Sequence, residues 1–172
     1  RLVDDLRTMA LAESGSLQLR REPTDLAPLI QEVVTGFESQ AKEKDIVFDL
    51  SLANMEDVSV DPLRIHEVLN NIISNALRYT PRGGRVTVGL TGSGDGAGGN
   101  VVIFIQDSGT GIESADLPYV FDRFYKSSDS GGMGLGLSIA KFIVETHEGK
   151  IWAESETGKG TKISFSLPRA QQ

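Results

Sequence analysis

The chain has 172 residues, a formal net charge of −7 and no cysteine. That length suits one domain with its own core. The acidic balance speaks against a general nucleic-acid surface, and the absence of cysteine excludes disulfides and thiolate metal sites.

No apolar run reaches the roughly 20 residues of a membrane helix, and no signal peptide is visible. The chain opens at Arg1 inside a helical pattern, which reads as a piece of a longer protein. Over 1–13, Leu2, Leu6, Met9 and Ala10 form a short helical stripe, and LQLRREP follows as an extended linker. Thr24 or Asp25 can cap a second helix, whose buried stripe is Leu29, Ile30, Val33, Val34 and Phe37. IVFDLSL (46–52) alternates like a strand, and VSV (58–60) is a short partner. Asp61-Pro62 then supplies an N-cap and the proline favoured at a first helical position, opening a helix over 62–79.

Two strands, 85–91 and 101–107, are joined by the glycine-rich stretch GSGDGAGG, read as a flexible surface hairpin. After DSGTGI and the apolar PYVFDRFYKS, a glycine cluster runs into a helix over about 135–147. KIWAES and TKISFSL close the chain as strands. Helices and strands mix without strict alternation, so the expected fold is a two-layer α/β sandwich, a mixed sheet with helices on one face.

The helix over 62–79 carries the first chemical signal. Ile65, Val68, Leu69, Ile72 and Ala76 share one side, while Glu67, Asn71, Asn75 and Arg78 lie within about 80° of one another on another side. Asparagine costs about 0.6 kcal/mol against alanine inside a helix. A merely solvated face would be better served by lysine and glutamate, whereas an amide oxygen is a hard neutral ligand suited to Mg²⁺ that also holds phosphates. His66 projects roughly 140° from Asn71 and cannot share that face.

Two glycine clusters follow, and neither has P-loop or GxGxxG spacing. Asp107-Ser-Gly109-Thr-Gly111 trails a strand, where a carboxylate can accept from an amino group. Gly132-Met-Gly134-Leu-Gly136 precedes a helix, whose N-terminus can cradle an anion. Taken singly, each cluster is equally consistent with tight turns.

In order, NNIISNALRYT, DSGTGI, VFDRFYK, GGMGLGLSIAK and GKGTKISF resemble the N, G and F boxes of the catalytic ATP-binding domain of sensor histidine kinases, within the Bergerat-type ATPase superfamily. The resemblance covers about residues 24–168. It implies a catalytic ATP-binding domain over 23–170, preceded over 1–22 by the end of a dimerisation helix and its linker. It implies ATP and Mg²⁺ as ligands, with Asn71 and Asn75 holding the ion and the phosphates, and Arg78 and Lys126 supplying positive charge. Asp107 would accept from the adenine amino group, with Gly109, Gly111 and Ile112 giving the base close access. Tyr79 and Tyr125 would border the nucleotide. Gly132, Gly134, Leu135, Gly136 and Leu137 would form a lid around the phosphates, and Thr161 would support Asp107. The segment KSSDSGG (126–132) is short for such a lid.

The hydrolysing relatives carry glutamate where this chain has Asn71. Such a base is worth about 10²–10⁴-fold, and an amide has no basicity near neutral pH. The resemblance therefore implies slow hydrolysis and transfer of the γ-phosphoryl group to a histidine nucleophile. His66-Glu67 matches only the first two residues of the family's acceptor motif, and His147 stands where a helix ends, suited to a C-terminal cap or a solvent-facing role. The acceptor is thus expected outside this chain. The implied partners are the parent's own dimerisation and phosphoacceptor domain, within a homodimeric, membrane-anchored sensor, and a response regulator; the implied place is the cytoplasm. A hydrolytic or serine-kinase member of the superfamily, or a non-catalytic nucleotide sensor, are the competing readings.

Overall fold

The computed structural model describes residues 1–93, 99–126 and 134–169. Most of the glycine-rich hairpin loop expected at 92–99 lies outside these. The elements are α1 (Leu2–Glu13), β1 (Glu22–Thr24), α2 (Leu26–Glu43), β2 (Val47–Leu52), β3 (Val58–Val60), α3 (Pro62–Tyr79), β4 (Arg85–Ser93), β5 (Asn100–Asp107), a 3₁₀ turn (Leu117–Tyr119), α4 (Gly136–Thr146), β6 (Lys150–Glu156) and β7 (Gly160–Pro168). Among the described residues no helix is long and apolar enough to cross a membrane.

Five strands form a mixed sheet in the order β2-β4-β5-β7-β6, in which only β2 and β4 run parallel. Alternation decides its two faces. Val86, Val88 and Leu90 of β4, Val101, Ile103 and Ile105 of β5, and Ile163, Phe165 and Leu167 of β7 point inward and are buried. They meet Ile65, Leu69, Ile72, Ile139 and Ile143 of α3 and α4 in one core. Fully burying one such side chain contributes about 1.5–3 kcal/mol, so this layer dominates the fold's stability. The opposite face carries Arg85, Gln106, Lys162 and the partly exposed Trp152, and there the Lys162 ammonium lies 4.5 Å from the Phe104 ring centre. The expected two-layer α/β sandwich is the observed architecture.

β1 and β3 form a separate antiparallel pair, so the extended linker acquires a strand partner just before α2. Asp25, rather than Thr24, caps α2, its carboxylate accepting from Ala27 N–H at 3.3 Å. Asp61 caps α3 as its sequence predicts, accepting from Arg64 N–H at 3.2 Å, and its other oxygen accepts from Arg20 N–H at 2.9 Å.

His147 departs from the solvent-facing alternative. It is only 1% exposed. Its Nε2 accepts from Asp61 N–H at 3.1 Å, which leaves the proton on Nδ1, 2.9 Å from the Ile143 carbonyl. One ring therefore closes the C-terminus of α4 and ties it to the start of α3. Sequence could suggest the cap but not the partner, which is 86 positions away.

Burial lowers the His147 pKa from its ordinary value, opposed by the Ile143 hydrogen bond; Arg21 lowers it further and Asp61 raises it. A second proton would have to sit on Nε2, facing Asp61 N–H. The unfolded chain binds that proton more readily, so this contribution to stability is complete above about pH 6.5 and is lost as pH falls below it towards the folded-state value. His147→Gln should lower stability at about pH 8 by roughly 1–3 kcal/mol, and its gap from the parent should shrink towards about pH 5. Urea unfolding at both pH values checks this.

Candidate nucleotide site

The inner side of the sheet and the edges of α3 and α4 enclose a cavity of about 1000 Å³. This is at the upper end for small-molecule pockets. Its sheet end is built by strand register. β5 pairs with β7 through Ile105↔Ile163 and Gln106↔Lys162, which brings Asp107 alongside Thr161. Both residues line the cavity, with Ile105 and Ile163 beside them as apolar wall.

Asp107 is 9% exposed. Its Oδ1 accepts from Gly109 N–H at 2.9 Å and from Thr161 N–H at 3.2 Å. No hydrogen bond among the described residues engages Oδ2, which remains available to a donor on a ligand. Burial raises the carboxyl's pKa, while the two N–H donors oppose that rise and favour the anion.

The loop after Asp107 is clamped to the β6–β7 turn. Gly158 N–H donates to the Thr110 carbonyl at 2.8 Å, and Gly111 adopts φ +76° with room for a Cβ only 2.3 Å from the Glu156 carbonyl oxygen. Glycine is therefore required at 111 by both backbone conformation and contact. Gly111 and Ile112 line the cavity; Gly109 does not, and acts instead through its N–H.

The opposite end belongs to the helices. Asn71, Asn75, Arg78 and Tyr79 of α3 all line the cavity, whereas His66 lies off it and contacts Asn70 at 2.7 Å. Asn71 is 5% exposed. Its Nδ2 is buried with no hydrogen-bond partner among the described residues. Gly136 packs beside it, where a Cβ would lie in ordinary contact, 3.5 Å from Asn71 Oδ1.

α4 begins over this asparagine. Among the described residues no side-chain hydrogen bond caps its N-terminus, so N–H groups of its first turn can serve an anion. Gly134, Leu135, Gly136 and Leu137 line the cavity at this point. Gly134 has φ +70°, and its carbonyl accepts from Phe124 N–H at 3.0 Å. That bond brings the end of VFDRFYK against the start of GLGLS. Gly132 and nearly all of the short lid expected over 126–132 lie outside the described residues. Tyr125 and Lys126 are described and line the cavity. Burial, then the charge of Asp116 and the neighbouring Tyr79 and Glu113, raise the Tyr125 pKa, so its phenol stays protonated.

Sequence reasoning missed Arg1. Its guanidinium donates to Asn71 Oδ1 at 3.2 Å and to Ser74 Oγ at 3.3 Å, so α1 forms part of the wall. Along the same helix, Thr8 donates to Glu67 at 3.0 Å, Met9 is buried, and Glu13 pairs with Arg123. No local pattern could reveal contacts across 70 positions. Ile105 and Ile163 were also missed, although a signal existed: each stands two residues from a predicted site residue on the same strand face.

A family model described as histidine kinase-, DNA gyrase B-, and HSP90-like ATPase matches residues 60–171. The sensor histidine kinase WalK of Bacillus subtilis (strain 168) is 39% identical over 178 residues, covering 100% of this chain and 29% of WalK. The chain thus spans under a third of that relative's length. Full-length ShkA, solved in complex with AMPPNP, superposes with a TM-score of 0.89 at 25% identity, covering 99% of this chain and 36% of ShkA. The histidine kinase ThkA, solved in complex with the response regulator protein TrrA, superposes with a TM-score of 0.77 at 27% identity, covering 98% of this chain and 48% of ThkA. With a family model matching residues 60–171, on a fold shared with solved histidine kinases, the chain belongs to the histidine kinase-, DNA gyrase B- and HSP90-like ATPase family.

Proposed function

We propose that residues 23–170 are the catalytic ATP-binding domain of a two-component sensor histidine kinase, which transfers the γ-phosphoryl group of ATP to a histidine outside this chain. The observation that carries this reading is the pairing, in one cavity, of the Asp107 carboxylate with Asn71 Nδ2, which has no partner among the described residues, beneath the start of α4. The adenine amino group would donate to Asp107 Oδ2, and the phosphates would accept from α4 N–H groups and from Asn71 Nδ2. Tyr79 and Tyr125 would flank the nucleotide, and Leu135 and Leu137 would exclude water near it.

The charged residues lining the cavity are Arg1, Arg78 and Lys126 against Asp5, Asp107, Glu113 and Asp116, or 3 − 4 = −1 among the described residues. A triphosphate entering this lining needs further positive charge. Among the described residues no cluster of three or more His, Cys, Asp or Glu could hold a metal alone. A Mg²⁺ arriving with the nucleotide fits these donors, because Mg²⁺ takes few protein ligands alongside substrate phosphates. Asn71 and Asn75 are the oxygens that would complete its shell. When bound, it would neutralise charge on the phosphates.

Asn71 offers no general base for water. A neutral imidazole already has a nucleophilic lone pair and needs none, so the site favours phosphotransfer over hydrolysis. Residues 1–22 would be the end of a dimerisation helix and linker. WalK's description as a sensor histidine kinase and ThkA's complex with a response regulator support the remaining partners, a phosphoacceptor domain of the same protein and a receiver domain. The parent would be a homodimeric membrane-anchored sensor with this domain in the cytoplasm.

Titration with ADP and Mg²⁺ should show Asp107→Asn binding about 10- to 100-fold more weakly, since an NH₂ would face the adenine amine. Unchanged affinity would remove Asp107 from the site. Incubated with labelled ATP, the chain alone should hydrolyse slowly and stay unlabelled. Adding the parent's phosphoacceptor domain should give an acid-labile phosphohistidine there, whereas label on His66 or His147, or fast turnover abolished by Asn71→Ala, would overturn the assignment.

A further inference from the structure

Ser155 of β6 does not line the cavity and has no part in the reading above, yet its hydroxyl joins three segments around the base end. Its Oγ accepts from Ile112 N–H at 2.7 Å, lies 2.9 Å from the Gly160 carbonyl oxygen, and lies 2.9 Å from Thr161 Oγ1. A serine hydroxyl has one hydrogen and two lone pairs, so these three partners satisfy it fully. The Gly160 carbonyl can only accept, which assigns it the Ser155 hydrogen. Ile112 N–H takes one lone pair. The other can be met only by the Thr161 hydroxyl hydrogen.

The direction of the last bond decides what Thr161 presents. Its hydrogen points to Ser155, and only lone pairs remain for the cavity. Beside it, Asp107 Oδ1 is taken by two N–H groups and Oδ2 is a further acceptor. The polar wall formed by these two side chains therefore carries acceptors and no hydrogen. We propose that Ser155 is a positioning residue for base specificity: by turning the Thr161 hydroxyl hydrogen away from the cavity, it favours purines with a 6-amino group over purines with a 6-oxo group. The inference rests on the nucleotide reading above. An oxo group here would set its lone pairs against a carboxylate and a hydroxyl unable to turn, leaving buried acceptors unsatisfied.

The test compares Mg²⁺-dependent affinities for ADP and IDP, whose bases differ only in the 6-amino and 6-oxo groups and the associated N1 proton. The parent should prefer ADP. Ser155→Ala frees the Thr161 hydroxyl to donate into the cavity, and the preference should shrink by about fivefold. Ser155→Thr keeps the hydroxyl and should keep the parent preference. In a Thr161→Val background, Ser155→Ala should no longer change the ratio. A purely structural serine would weaken both nucleotides equally, and an unchanged ratio in folded Ser155→Ala overturns the proposal. If that variant does not fold, Thr161→Val decides alone: a shrunken preference supports the proposal and an unchanged one overturns it. A parent that binds neither nucleotide overturns the nucleotide reading and this inference together, whereas ADP binding with an unaltered ratio in the variants overturns only the inference.

Discussion

The antiparallel pairing of β5 with β7 is the constraint on which the site depends. Its register sets Asp107 beside Thr161, so that a backbone N–H from one strand fixes a carboxylate at the end of the other. The same strands send Ile103, Ile105, Ile163 and Phe165 into the layer beneath α3 and α4. The hydrophobic burial that stabilises the domain therefore also positions the acceptor. A slip of one residue would turn Asp107 away from the inner face and push the apolar side chains outward.

The two ends of the cavity are made by different means. At the sheet end, backbone donors hold one carboxylate oxygen, and glycine lets the following loop meet the β6–β7 turn. At the helical end, Asn71 Nδ2 and the first N–H groups of α4 have no side-chain partner among the described residues. The first end offers only acceptors, Asp107 Oδ2 and the Thr161 hydroxyl oxygen. The second remains chemically open, as suits a ligand bringing several negative charges.

Much of this was legible in the sequence because it rests on local rules. Asp61-Pro62 marked the start of α3, strand alternation marked the inner face, and the phase of α3 separated Asn71 and Asn75 from His66. What sequence could not supply were contacts made by side chains far apart in the chain. His147 read as a helix cap or a solvent-facing residue, whereas its buried ring also accepts from Asp61 N–H. Arg1 read only as part of the opening helix, and Ser155 only as one residue of a closing strand, yet their side chains bond Asn71 and Thr161. Each depends on register or docking between elements, which periodicity within one element does not encode.

α1 crosses the domain with Arg1 at Asn71 and Glu13 at Arg123. Twelve helical residues span about 18 Å, so the helix acts as a rigid rod bridging two boxes of the site. A slide of one turn, about 5.4 Å, would withdraw the guanidinium from the Asn71 oxygen. Any other cation drawing on that oxygen must compete with Arg1. If a cation binds that oxygen, its binding and the seating of the helix become one coupled equilibrium: whatever factor the seated helix takes from cation affinity, the bound cation takes from the seating.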